Sequence, residues 1–184
     1  MREKIKIGNQ RFEIVYTQKM ISTIVSRLAR MIRRDYKDDP APLVLLIVLN
    51  GAMYFGVDLS RRLEELGIHP VDETIRISKY SGDEKTKKLE LVAEPIIDLT
   101  GCNVIVVEDV KEEGETLRFI DQYLKGKNPK SVDYCVLLSK AGYPPLGFDI
   151  KYCGEDNLPP AWLVGYGLDS ERMHRPKKFI CAKI

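Results

Sequence analysis

Val104-Ile105-Val106-Val107-Glu108-Asp109-Val110-Lys111-Glu112-Glu113-Gly114-Glu115-Thr116-Leu117 is the stretch whose reading decides the fold. It opens as a continuous β-branched apolar run. Such a run predicts a strand buried on both faces, as in parallel sheets. Two adjacent carboxylates stand at its C-terminal end. An acidic turn with one glycine follows, and Thr116 leads into a helical pattern. Strand, acidic pair, turn and helix start form the layout of a phosphate-sugar site on an open α/β sheet. Ligands there sit beyond the carboxyl ends of the strands. Free N–H groups at a helix start favour a phosphate. Acidic residues at a helix start also complement its dipole, so the stretch alone supports a site and a structural loop about equally.

Working outward, the same pattern recurs. Leu43-Val44-Leu45-Leu46-Ile47-Val48-Leu49 is a second buried strand, ending at Asn50-Gly51. A helix is expected from near Ala52, carrying Phe55, Leu59 and Leu63. Val132 to Leu138 is a third strand, closing at Ser139-Lys140. Toward the N-terminus, Ile5, Ile7, Phe12, Ile14 and Tyr16 alternate around Gly8-Asn9 and predict a hairpin. Thr17 can cap a helix in which Met20 to Ile32 follow a helical period; Arg27, Arg30, Arg33 and Arg34 read as its wet face. Glu73 to Tyr80 alternates as a strand. Ser81 to Leu89, with Lys85, Lys87 and Lys88, reads as a polar mobile excursion, either a plain connection or a lid. Ile150 to Cys153 and Phe179 to Lys183 predict two further short strands. No repeat or linker interrupts the chain. The expectation is one α/β domain over residues 1–184, with a central mostly parallel sheet flanked by helices and a small flap or hood.

Composition narrows the class. The chain has 184 residues, 44% hydrophobic and 30% charged, which suits a globular domain. A formal net charge of +2 gives no case for nucleic-acid binding. The apolar runs are too short to span a bilayer, and no membrane partner is expected. The first seven residues carry no apolar leader. Cys102, Cys135, Cys153 and Cys181 are widely spaced, so buried free thiols in a reducing compartment are expected. These features predict a cytoplasmic protein.

Three strand ends now converge on one edge: Asn50-Gly51, Glu108 to Thr116, and Lys140. Adjacent carboxylates are costly unless they meet cations or hydroxyls. A ribose diol and Mg²⁺ supply both, because Mg²⁺ prefers oxygen ligands and shares them with substrate phosphates. Gly114 and its neighbouring amides can hold a terminal phosphate. Lys140 can snorkel to water or donate to a ligand carbonyl. Trp162 offers an aromatic face or core packing, the commoner fate of a single Trp.

These residues resemble a purine phosphoribosyltransferase of the hypoxanthine–guanine type, with the type I phosphoribosyltransferase fold. The resemblance covers nearly the whole chain. It rests on Leu49-Asn50-Gly51 with its following helix, Val107-Glu108-Asp109, Leu137-Leu138-Ser139-Lys140, Leu163-Val164-Gly165-Tyr166-Gly167-Leu168-Asp169, and Arg175. The Val-Gly-Tyr-Gly-Leu-Asp run is the most specific to the purine branch. The resemblance implies transfer of 5-phosphoribosyl from 5-phosphoribosyl pyrophosphate to hypoxanthine or guanine, giving IMP or GMP and pyrophosphate, with Mg²⁺. It implies that Glu108 and Asp109 face the ribose hydroxyls and metal. Glu112, Glu113, Gly114, Glu115 and Thr116 hold the 5′-phosphate, with Glu112 also catalytic. Leu49-Asn50-Gly51 binds pyrophosphate through a non-proline cis peptide. Lys140 donates to the purine O6, Trp162 stacks on the ring, and the backbone at Leu163 and Val164 reads the base edge. The resemblance also implies that Asp169 contacts a second metal or the exocyclic group, and that Arg175, catalytic like Glu112, contacts the pyrophosphate. A homodimer or homotetramer is implied as well.

Some positions depart from the family. Its phosphate loop usually reads Asp-Thr-Gly-x-Thr, whereas this chain has Glu112-Glu113-Gly114-Glu115-Thr116. Glu112 is one methylene longer, and Glu113 replaces a hydroxyl donor with a charge. The family's Ser-Tyr in the flap is Lys79-Tyr80. A catalytically weakened or inactive paralogue that binds purines or nucleotides, as a regulatory protein, is therefore the rival expectation. A phosphoribosyltransferase for another base is the third.

Overall fold

The computed structural model describes residues 3–81 and 87–184. Its central sheet has six strands, in the order β5-β4-β3-β6-β7-β8. These are β3 (Leu43–Leu49), β4 (Val71–Ser81), β5 (Lys87–Ala93), β6 (Asn103–Lys111), β7 (Ser131–Lys140) and β8 (Tyr152–Leu158). All pairings are parallel except β4 with β5. The apolar runs lie where their composition demands: Val104 to Val107 and Val44 to Val48 are buried. Full burial of each such side chain contributes about 1.5–3 kcal/mol.

Helix α2 (Met53–Glu65) connects β3 to β4, and α3 (Glu115–Lys125) connects β6 to β7. The two crossovers leave in opposite directions from the adjacent strands β3 and β6. Parallel crossovers are right-handed, so α2 and α3 fall on opposite faces. The strand order thus reverses between β3 and β6, and a crevice opens at their carboxyl ends. Asn50-Gly51 and Glu108-Asp109 stand at that point.

Helix α1 (Gln18–Tyr36) starts where Thr17 Oγ1 accepts from Met20 N at 3.3 Å. Its apolar stripe, from Ile21 to Ile32, is buried. The arginines are less idle than a wet face requires. Arg27 donates to Gly154 O on β8, and Arg33 Nε donates to Leu66 O at 3.0 Å. A second sheet, the hood, has the antiparallel order β1-β2-β10-β9. It joins β1 (Lys4–Ile7) and β2 (Gln10–Tyr16) to β9 (Leu163–Val164) and β10 (Ile180–Lys183), near the other end of the chain.

The segment read as an excursion needs correcting. β4 extends to Ser81 and pairs with β5, so Lys87 to Leu89 belong to a strand. Residues 82–86, Lys85 included, lie outside the described residues. All four cysteines are free thiols, and Cys102, Cys135 and Cys181 are buried. Among the described residues no helix is long and apolar enough to cross a membrane.

Candidate active site

Two adjoining cavities open at the carboxyl ends of β6 and β7. One, of about 470 Å³, is lined by Lys140, Trp162, Leu163, Asp169 and Arg175 together with Tyr143, Pro160 and Ala161. The other, of about 340 Å³, is lined by Glu108 and the whole turn Glu112 to Thr116, with Lys79 and Lys111. Asp109, Val110, Glu112 and Leu168 line both. A larger cavity of about 580 Å³ between α1 and α2 is lined by Tyr166 of the Val-Gly-Tyr-Gly-Leu-Asp run but by none of the residues given a binding or catalytic role from the sequence.

Glu108 is buried, and burial lifts its carboxyl well above the ordinary range, with the Asp109 charge adding to the lift. Burial also raises Asp109. Their polar contacts are local: Asp109 N donates to Glu108 Oε1 at 3.2 Å, and Val110 N to Asp109 Oδ1 at 2.7 Å. Burial disfavours the charge on these oxygens, and a hard divalent cation bound to them would offset that cost. Among the described residues no group of three or more His, Cys, Asp or Glu is arranged to hold a metal by itself. Substrate oxygens would have to complete the shell, as Mg²⁺ accepts.

The β3 loop supports the acidic pair from behind. The Leu49–Asn50 peptide is cis. A Cβ on Gly51 would stand 2.0 Å from Asp109 Oδ2, and one on Gly167 would stand 1.9 Å from Gly51 O. Only glycine allows these approaches. Leu49, Asn50 and Gly51 line neither cavity, but Gly51 packs directly against the Asp109 carboxylate that does. Gly51→Ala is therefore expected to overpack this contact, at about 1–3 kcal/mol of stability, and to displace Asp109. Calorimetric melting checks it; an unchanged Tm would mean that the carboxylate moves aside freely.

The purine-side cavity is built from β7 and the hood. Lys140 is buried at the end of β7, where it pairs with Glu112 and donates to Ala161 O at 2.7 Å. Trp162 is 59% exposed, so it is a surface aromatic at the cavity and not a core residue. β9 is an edge strand. Lys183 N donates to Trp162 O at 2.9 Å, and antiparallel residues alternate between bonded and unbonded pairs. The free edge therefore belongs to the Leu163 peptide groups. Val164 is fully buried, its carbonyl accepting from Cys181 Sγ at 3.4 Å. Of the two residues expected at the base edge, Leu163 keeps free peptide groups, whereas β10 already occupies those of Val164.

Arg175 Nη2 meets Asp169 Oδ1 at 2.6 Å, and Arg172 N donates to Asp169 Oδ2 at 2.8 Å. Arg175 also donates to Gly167 O. Tyr166 anchors this segment to α2 through Asp58 Oδ2 at 2.7 Å. In the acidic turn, Gly114 caps α3 with φ 74 and supplies no side-chain cap bond to its first amides. Glu112 and Glu113 are exposed. Sequence reasoning missed Tyr143, Pro160, Ala161 and Lys111 as lining residues. It noted Lys79 only as a departure, and that departure was the usable signal.

Residues 13–171 match the family described as "Phosphoribosyl transferase domain". The hypoxanthine-guanine phosphoribosyltransferase of Dictyostelium discoideum is 31% identical over 169 residues, covering 91% of this chain and 93% of that protein. The hypoxanthine phosphoribosyltransferase of Escherichia coli K12 is 29% identical, over 91% of this chain and 93% of its own. Among solved structures, the hypoxanthine phosphoribosyl transferase of Trypanosoma cruzi superimposes with a TM-score of 0.87 at 27% identity, covering 98% of this chain and 95% of that chain. A hypoxanthine-guanine phosphoribosyltransferase of Bacillus anthracis gives 0.83 at 30% identity, covering 93% and 98%.

Proposed function

Because this chain belongs to the phosphoribosyl transferase domain family, we propose that it transfers 5-phosphoribosyl from 5-phosphoribosyl pyrophosphate to a 6-oxopurine, hypoxanthine or guanine. The products are IMP or GMP and pyrophosphate, the reaction of purine salvage. The observation that carries the reading is Lys140. It is a buried ammonium beside an exposed Trp162, in a cavity that shares Asp109 with the turn at the start of α3.

The residues divide the work. Lys140 donates to the purine O6, Trp162 stacks on the ring, and the Leu163 peptide reads the base edge. Glu112, beside Lys140, is the carboxylate for the proton of the base. The turn Glu112 to Thr116 holds the 5′-phosphate on the amides at the start of α3. Glu108 and Asp109 hold the ribose hydroxyls and one Mg²⁺, Asp169 a second Mg²⁺ or the exocyclic group, and Leu49-Asn50-Gly51 the pyrophosphate. Arg175 meets the charge of pyrophosphate as it leaves. Mg²⁺, when bound, supplies neutralisation of that same charge. The protein acts as a single domain, in the cytoplasm. For the T. cruzi enzyme the C-terminal region has a role in the oligomeric state; for this chain a homodimer or homotetramer follows from the family resemblance.

A purine panel with 5-phosphoribosyl pyrophosphate, with and without Mg²⁺, tests the reading by nucleotide formation. Hypoxanthine and guanine are expected to be converted, and omission of Mg²⁺ to weaken donor binding. Conversion of another base but no 6-oxopurine would overturn it. Equal donor binding without Mg²⁺ would reduce Glu108 and Asp109 to a structural strand end.

A further inference from the structure

The phosphate-side cavity is short of positive charge. Its lining carries five carboxylates, Glu108, Asp109, Glu112, Glu113 and Glu115, against two lysines, Lys79 and Lys111. A sugar 5′-phosphate enters with nearly two negative charges. The amides at the start of α3 meet it with partial charges only. One of the two lysines is turned elsewhere: Lys111 Nζ stands over the Tyr143 ring, 5.9 Å from its centroid.

Lys79 is placed differently. It projects from β4, and its Nζ meets Glu115 Oε2 at 2.8 Å. Glu115 is the first residue of α3, directly after the Gly114 cap. The ammonium therefore stands at the helix start where a phosphate would bind. It also feels the whole turn: the Glu115 hydrogen bond, then the Glu113 and Glu112 charges, hold it more firmly protonated. Both ends of this pair are about half exposed, and such pairs hold weakly. A dianionic phosphate is the stronger partner and can take Lys79 from Glu115. The two departures in the chain, Lys79 in the hairpin and the acidic turn, compensate each other in charge and meet in space.

We propose that Lys79 is a donor-binding residue, which brings to the acidic turn the positive charge needed by a pentose 5′-phosphate and rests on Glu115 when the donor is absent. This rests on the phosphoribosyl-transfer reading and deepens it.

Lys79→Met tests the proposal, with Lys79→Arg as its charge-keeping control. The side chain is half exposed, so both variants should fold. KM for 5-phosphoribosyl pyrophosphate should rise about tenfold in Lys79→Met, with KM for the purine unchanged and recovery in Lys79→Arg. A purely structural latch predicts something else: the effect of Lys79→Met should vanish in a Glu115→Gln background, where the Lys79–Glu115 ion pair is already gone. Under the proposal the loss persists there, because the charge acts on the phosphate. Titration calorimetry of the donor with Mg²⁺ gives the same comparison without turnover. An unchanged donor affinity in Lys79→Met, or an effect that disappears with Glu115→Gln, overturns the proposal while leaving the reaction assignment intact. A wild-type protein that neither binds the donor nor converts any purine removes both together.

Discussion

Lys140→Ala is expected to lower affinity for a guanine nucleotide by roughly 10- to 150-fold. A hydrogen bond to a charged group contributes about 1.5–3 kcal/mol, and about 1.4 kcal/mol is a factor of ten. The structure sharpens the reason. The ammonium is buried and holds two acceptors, Glu112 and Ala161 O. A purine O6 must share or displace the Glu112 contact. Without Lys140, the Glu112 carboxylate remains in the cavity without its cation, and it repels a carbonyl oxygen. Lys140→Met keeps most of the stem and separates lost charge from lost packing. It should lose nearly as much affinity as Lys140→Ala. Titration calorimetry of GMP against the three proteins decides; equal affinities would remove Lys140 from base recognition.

The parts of the fold legible in the sequence were those where burial imposes a pattern. Strands β3, β6 and β7 are wrapped on both faces, so every position along Val104 to Val107 had to be apolar. Helix α1 was legible because its stripe and the Thr17 cap agree. β5 was not. It is an edge strand with Val92 exposed, and its charges match those of a loop. The site divides in the same way. Glu108, Asp109 and Lys140 stand at the ends of legible strands, and the sequence placed them together. The Glu112–Lys140 and Lys79–Glu115 pairs depend on how a turn and a hairpin are oriented. Their partners are far apart in sequence and carry no periodic mark. Leu163 and Val164 were named together because one step along β9 reverses which peptide groups are free, and the sequence does not mark that phase.

Glu112→Asp combined with Glu113→Thr is expected to raise kcat/KM for 5-phosphoribosyl pyrophosphate tenfold to a hundredfold. A carboxylate about 5 Å from one phosphate charge costs roughly 1–3 kcal/mol between water and a protein-surface dielectric, and the phosphate carries nearly two charges. The structure shows part of this already relieved. Glu113 is exposed, and its carbonyl accepts from Arg118 Nη1 at 2.8 Å, so its carboxylate can turn to solvent while the turn keeps its shape. Glu112 leans the other way, onto Lys140. Shortening it by a methylene draws it off the ammonium and frees Lys140 for the base. Glu113→Thr adds a hydroxyl donor where a charge stood. The first change should therefore act on KM for the purine and the second on KM for the donor, so the single variants separate the two effects. A wild type that turns over rapidly, with a double variant no faster, would mean that the acidic turn is fully offset by another charge. Lys79 is the cation placed to do that. Lys79→Met would then cost much in wild type and little in the double variant. The same outcome would end the reading of this chain as a non-catalytic relative, since the turn that motivated it would impose no barrier to transfer.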